Sequence, residues 1–461
     1  MKTTESALSR GASTGATGRT GLSLPTVAAL LRGQRTLHCK ASTPGATKPR
    51  VWAINGDFLA LQPTGVARYA KEVTLALDAL VAAKHPLTRD LELSILAPRQ
   101  PSEPLSLRAI SLRIVPEFNR PRLPQFWVQA QLPRHVTGGL LSFCNLAPIA
   151  ARHQIVCIHD LHTWLMPNSY GRLFRWTHRV VLPILGRRAM LVTTVSTLSR
   201  DHLVQFGVAP PEKIVVTYNG SNHVAQWHPC LAKLDLAGCR PFVLCLGRSQ
   251  RYKNVELMLQ IAQPLDALGL DVCMAGDVDA GTWRQYREDV PTNVRLLGRI
   301  SDHDLAKLLS RALCFIFPSR IEGFGLPAVE AMALGCPVIA SSAPCLPEVC
   351  GSAALYADPD DVGAWVDAIG RVKDDADLRR RMIGDGYARA HSFSWRRIAE
   401  TYLRLMTKVD GGSDRTPEQV CDVVPKAKRG QGIYGKRGEF PPMAPLEFSN
   451  GQRWRCKGLS G

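Results

Sequence analysis

From Val51 onward the chain alternates two patterns, short apolar β-branched runs and longer stretches with apolar residues at helical spacing. The first half predicts strands at Val51–Asn55, Leu91–Leu96, Ile110–Val115, Gly139–Phe143, Gln154–His159, Leu191–Val195 and Ile214–Tyr218. The count then begins again with Phe242–Leu246, Val272–Ala275, Val294–Leu297, Cys314–Phe317 and Pro337–Ala340. Such alternation is the pattern of parallel α/β sheets. Two successive doubly wound domains fit it better than one large sheet. The predicted division is an N-terminal domain over 50–230, a C-terminal domain over 231–392 with the join near Trp227–Leu236, and a helical segment over 393–410. Residues 1–49, rich in Ser, Thr, Gly, Ala and Arg, read as a disordered basic extension, a targeting segment or an over-called start, and 411–461 as a disordered basic tail.

Charge sharpens this division. The formal net charge is +18, but residues 51–235 carry 19 Lys/Arg against 11 Asp/Glu, whereas residues 236–410 are close to neutral. A basic N-terminal domain favours anionic partners such as membrane phospholipid, a lipid diphosphate or nucleic acid. Thirteen cysteines occur without a CxxC pair, several inside apolar runs, which points to free thiols in a reducing compartment and away from structural zinc. No uninterrupted apolar run is long enough to span a bilayer; Val180–Gly186 stops at Arg187-Arg188.

The richest chemistry lies in Ser319-Arg-Ile-Glu-Gly-Phe-Gly-Leu-Pro-Ala-Val-Glu330, which sets two carboxylates around a glycine-rich turn into a helix. Pro327 suits a first helical position and Gly335 marks the helix end. The backbone N–H groups of Gly323, Phe324, Gly325 and Leu326 then form a helix N-terminus, which attracts anions and phosphate above all. Glu322 sits in the turn and Glu330 inside the helix, both able to accept hydrogen bonds from sugar hydroxyls. A capped helix with one surface acid and one buried, paired acid would show the same bare spacing.

The string EGFGLPAVEAMALGCPVIAS, following the apolar run Cys314–Pro318, resembles the signature of glycosyltransferase family 4, the glycosyl transferases group 1. The resemblance implies a GT-B fold, two Rossmann-like parallel-sheet domains facing across a cleft. It also implies that Glu322 contacts the donor sugar and Glu330 the ribose of the nucleotide. Gly247-Arg248 and Lys253-Asn254 match the place where the family puts an arginine and a lysine on the donor diphosphate, in the role that a divalent metal has in other transferases. Relatives often read Arg-Lys-Asn where this chain has Tyr252-Lys253-Asn254, so the arginine role falls to Arg248.

Further resemblances lie at other strand ends, where ligands bind in such sheets. His159-Asp160 matches the family's His-Asp step, implying that His159 contacts the transferred sugar; a buried, satisfied imidazole is the structural alternative. Gly65, in Pro63-Thr-Gly-Val-Ala-Arg-Tyr69, resembles the glycine loop that approaches donor and acceptor. Asn145 is a candidate acceptor contact, and Asn219-Gly220 reads as a turn. Arg299 and Ile300 fall where family members seat the base. Asp277-Val-Asp279 reads as a loop, so no metal is predicted, and no cofactor. Tyr170–Pro183 interleaves basic and aromatic residues, either as an ordinary helix with a solvated face or as a membrane-surface helix.

The resemblance implies a metal-independent, retaining hexosyltransferase. The strings VWAING and LPEVCGSAALYADPDD look most like bacterial mannosyl- or glucosyltransferases of polysaccharide assembly, with GDP-mannose as the expected donor. The expected partners are the nucleoside diphosphate sugar, a glycan or polyprenyl-linked acceptor and an anionic membrane surface, with no nucleic acid. The expected location is the cytoplasm, at the inner face of the membrane. Two rivals remain at this level: a nucleotide-sugar epimerase of similar fold, and a non-enzymatic basic protein that binds membranes or nucleic acid.

Overall fold

A computed structural model describes residues 49–411 apart from 62–63, 102–103, 118–124, 237, 249, 279–280 and 282–289, so the basic extension and tail lie outside the described residues. Two all-parallel sheets carry the fold. The first holds β1 (Arg50–Asn55), β2 (Leu91–Ala97), β3 (Ser111–Ile114), β4 (Gly139–Ser142), β5 (Gln154–Cys157), β6 (Leu191–Thr194) and β7 (Ile214–Val216), in the order β3-β2-β1-β4-β5-β6-β7. The second holds β8 (Phe242–Gly247), β9 (Asp271–Gly276), β10 (Val294–Gly298), β11 (Cys314–Phe317), β12 (Val338–Ser341) and β13 (Ala354–Ala357), in the order β10-β9-β8-β11-β12-β13. Both orders reverse beside their first strand, at β1/β4 and at β8/β11. Ligands of doubly wound sheets bind outside the carboxyl ends of the strands at such points.

Burial explains why the strands read as continuous apolar runs. Every residue of β4, β5, β6, β11 and β12 is buried, as expected where helices cover both faces of a parallel sheet. The strand β13 has no counterpart in the sequence reading. Its Ala-Leu-Tyr-Ala lacks β-branched residues, and its pairing with β12 from Val338↔Ala354 to Ser341↔Ala357 makes it a strand.

The helix Trp395–Val409 lies against the first helix, Gly65–Ala82, beside the first sheet. The Tyr402 hydroxyl is 2.9 Å from that of Tyr69 and 2.6 Å from Thr193 Oγ1, and Tyr69 is 2.8 Å from Thr217 Oγ1. Asp410 at the helix end pairs with Arg50 at 2.7 Å and accepts from Trp52 Nε1. The closing helix is thus fixed by buried hydroxyls as well as by its apolar face.

Direct bonds also join the two domains. Arg68 of the first helix makes a bidentate pair with Asp302 of the second domain, at 2.9 and 2.7 Å. Glu348 accepts from the backbone N–H groups of Thr197 and Leu198, at the N-terminus of the helix Thr197–Gln205. A carboxylate suits that end both as an acceptor and as a charge against the helix dipole.

Candidate active site

The site begins where β8 ends. Arg248 follows directly, and a turn Arg251–Lys253 closes at Asn254, whose φ of 54° is left-handed, a conformation asparagine tolerates. Asn254 is buried; its Nδ2 donates to Pro359 O at 2.8 Å and its Oδ1 accepts from Arg320. This anchoring aims Lys253, whose Nζ lies 2.5 Å from Glu322 Oε1. Both side chains are largely buried, so their pairing is screened much less than a surface ion pair.

Glu322 stands in the loop after β11. Gly325, at φ 94°, turns the chain into the helix Leu326–Ala333, and a Cβ there would meet Leu346 Cδ2 at 2.7 Å. No side chain caps this N-terminus, and Pro327 stands within its first two positions. Gly323 faces the other domain: a Cβ would lie 3.2 Å from Asp160 Cβ and from the His159 carbonyl. Glycine at 323 therefore permits the close approach of the two walls.

A cleft of about 310 Å³ lies between these walls. From the second domain it is lined by Arg248, Lys253, Glu322, Gly323, Phe324, Gly325 and Leu326, and from the first by Gly65, Asn145, His159 and Asp160. Ten of the thirteen residues singled out by sequence are therefore neighbours around one cavity. Arg248 has no hydrogen-bond or ion-pair partner among the described residues. A Cβ at Gly65 would meet nothing within 4 Å, so the space there is open toward the cleft.

The structure revises several assignments. The ring of His159 is turned inward: Nε2 donates to the Phe143 carbonyl at 2.7 Å, and the ring packs edge-on to Tyr69. Burial pushes its pKa down, but Cys157 and the Phe143 carbonyl outweigh this and hold it above the usual imidazole value. In this arrangement Nε2 is committed to the Phe143 carbonyl. Asn145, at φ 62°, uses its Oδ1 to accept from the His159 backbone N–H at 2.7 Å, so it shapes the loop while lining the cleft.

Glu330 does not line the cleft. It is buried, with Oε1 2.9 Å from His223 Nε2 and 3.7 Å from Arg68 Nε, which is the paired-acid alternative raised by the motif. Arg299 and Ile300 also lie outside the cleft lining; Arg299 extends to Asp277 at 2.6 Å. Asp279 lies outside the described residues.

The sequence reading missed other cleft residues. Asn219, whose sequence context reads as a turn, lines the cavity, and its Oδ1 is buried without a partner among the described residues. His162, Tyr170, Phe174 and Tyr252 also line it. Their position just after β5, at the start of the helix Arg172–Arg188 and just after β8 was the available signal.

Comparison with known proteins gives the site its context. The family model described as glycosyl transferases group 1 matches residues 231–389. O-antigen chain mannosyltransferase B of Escherichia coli is 34% identical over 265 residues, covering 54% of this chain and 68% of that protein. Among solved structures, sucrose-phosphate synthase from Thermosynechococcus elongatus superposes with a TM-score of 0.60 at 21% identity, over 79% of this chain and 100% of that one. Anabaena HepE, solved in complex with UDP and glucose, gives 0.56 at 16%, over 78% and 100%. These likenesses identify the two-sheet architecture as GT-B. With the family model on its second domain and a relative matched over more than two-thirds of its length, the chain belongs to the glycosyl transferases group 1.

Proposed function

We propose that this glycosyltransferase moves a hexose from a nucleoside diphosphate sugar, with retention at the anomeric carbon, to a glycan or polyprenyl-linked acceptor in cell-surface polysaccharide synthesis. One observation carries the reading. Two cations from the end of β8, a carboxylate from the end of β11 and an uncapped helix N-terminus converge on a single interdomain cleft. Arg248, Lys253 and the backbone of Gly323–Leu326 receive the diphosphate and stabilise it as the sugar bond breaks. Glu322 holds the sugar hydroxyls; its bond to Lys253 suits a holder better than a covalent nucleophile. Closure of the two domains about the donor would exclude water and protect it from hydrolysis.

Mannose as the transferred hexose is supported by the Escherichia coli mannosyltransferase, and GDP-mannose is the donor we assign. The test is a thermal-shift titration with GDP-mannose, UDP-glucose and the free diphosphates. A ligand at a hundred times its Kd stabilises by about 2.7 kcal/mol, several degrees in Tm. The largest shift is expected with GDP-mannose. No shift with any nucleoside diphosphate sugar would overturn the donor site, whereas a preference for UDP-glucose would change only the donor.

A location at the inner face of the cytoplasmic membrane is supported by the helix Arg172–Arg188. Leu173 and Trp176 are 72% and 65% exposed, and with Val180 and Ile184 they recur at helical spacing on one face. Exposed Arg172, Arg179, Arg187 and Arg188 accompany this stripe, which is the composition of a helix lying in an anionic lipid surface. Among the described residues no helix is long and apolar enough to cross a membrane.

A further inference from the structure

The first-domain wall of the cleft contains a group that neither the donor site nor the fold explains. His162 is 5% exposed and lines the cavity, yet its Nε2 is buried without a hydrogen-bond partner among the described residues. A buried polar atom left unpaired is destabilising, so native structures seldom leave one without a partner to meet it. The ring is held in place from two sides. Asp160 Oδ1 accepts from the His162 backbone N–H at 3.0 Å and lies 3.6 Å from Nδ1, while the Tyr252 ring sits 5.0 Å away across the cleft.

Beside it runs an aromatic surface. Tyr170 and Phe174 stack with centroids 5.7 Å apart and an interplanar angle of 16°, and the His178 ring lies 3.9 Å from Phe174. Phe174 is 48% exposed at the rim of the same cavity. An exposed aromatic face next to a buried, unsatisfied imidazole matches a pyranose ring, which offers a C–H face for stacking and hydroxyls at its edge.

We infer that His162, Tyr170 and Phe174 form the subsite for a sugar ring of the acceptor, with Phe174 against the ring face and His162 Nε2 bonded to a hydroxyl. The inference rests on the reading of the opposite wall as the donor site: cations and the helix N-terminus on that wall leave this one to the receiving sugar. His162 is then a positioning and specificity residue for the acceptor.

The experiment measures binding of p-nitrophenyl α-D-mannoside, α-D-glucoside and α-D-galactoside to the full chain by ligand-observed saturation-transfer NMR, with GDP-mannose affinity measured in parallel by calorimetry. Wild type is expected to bind at least one pyranoside. His162→Ala weakens that binding about tenfold, the value of one lost hydrogen bond, and His162→Gln restores most of it. Phe174→Ala weakens it roughly fivefold and Phe174→Trp restores it. GDP-mannose affinity stays within about twofold throughout, since one bond to the donor would be worth more than that. The inference is overturned if wild type binds no pyranoside, if His162→Ala binds it unchanged, or if donor affinity falls in step. Loss of anionic-vesicle binding in Phe174→Ala with pyranoside binding intact would also overturn it, assigning that ring to the membrane stripe. If GDP-mannose fails to bind wild type while pyranoside binding follows the variants, the donor reading fails and the acceptor subsite stands.

Discussion

His223 Nε2 donates to Glu330 Oε1 at 2.9 Å, and the direction of this bond is set by a third residue. Trp395 Nε1, which can only donate, lies 3.0 Å from His223 Nδ1, so Nδ1 is the acceptor and the proton sits on Nε2. Arg68 Nε reaches the same carboxylate oxygen at 3.7 Å while its other nitrogens hold Asp302. The second glutamate of the signature is thus the centre of a chain from the closing helix through the interdomain segment to the first helix of the opposite domain.

Glu330→Ala should therefore act first on stability. It leaves the buried His223 imidazole N–H without its acceptor and removes the charge facing Arg68, a loss of about 2–4 kcal/mol. Glu330→Gln keeps an acceptor and should lose less. Urea unfolding with parallel donor calorimetry checks this. A large rise in donor Kd at unchanged stability would return Glu330 to the role of ribose ligand that the family resemblance implies.

Lys253 and Glu322 should separate in kinetics. With Glu322 as the proposed holder of the reacting sugar, Glu322→Ala should lower kcat by about 10²–10³ with the fold intact, because the residue stands in a loop. Lys253→Ala should weaken nucleoside diphosphate binding by roughly tenfold or more, since bonds to charged groups are worth about 1.5–3 kcal/mol. Steady-state kinetics and calorimetry distinguish the two; wild-type kcat in Glu322→Ala at saturating substrates would remove that residue from the mechanism.

Asp57 makes stability depend on pH. Burial, partly offset by the Phe58 backbone N–H, pushes its pKa up to about 7. Its Oδ1 is buried without a partner among the described residues. The unfolded chain releases this proton at an ordinary aspartate value near 3.8, so between the two values the folded state binds more protons. Stability then falls as pH rises through that window. Asp57→Asn cannot ionise and should raise Tm more at pH 8 than at pH 4. Equal shifts at both pH values would show that the carboxyl titrates normally.

The exposed helix should respond to both charge and apolar surface. Trp176→Glu with Val180→Glu is expected to lower binding to phosphatidylglycerol vesicles by at least about tenfold, and raised salt should weaken the wild type. Catalysis on a soluble acceptor should be unchanged, because neither residue lines the cleft. Vesicle co-sedimentation gives the readout, and equal sedimentation of variant and wild type would sink the membrane reading.

Much of the architecture was legible because parallel strands buried on both faces must be apolar along their whole length. The fully buried β4, β5, β6, β11 and β12 announce themselves in this way, and edge strands such as β3, with exposed Ser111 and Arg113, show it only in part. Arg248, Lys253, Glu322 and the glycine loop were legible too, because each stands immediately after such a strand, in a motif with its own helix-start chemistry. Local sequence determines those features, since a strand end or a helix cap is specified by the few residues that make it.

Side-chain direction is different, because it depends on residues far away in the chain. His159 and His162 are three positions apart, and sequence favoured the first. The Phe143 carbonyl claims the ring of His159, while no described group meets Nε2 of His162. Glu330 reads as a ligand in its motif and becomes a buried partner only when His223 and Arg68 are folded against it. The sequence by itself determined two parallel sheets and the glycine-rich turn into an uncapped helix N-terminus. Tertiary structure decided which polar groups were already satisfied and which were left to face the cleft, because a hydrogen bond is made by whatever acceptor the fold brings within about 3 Å.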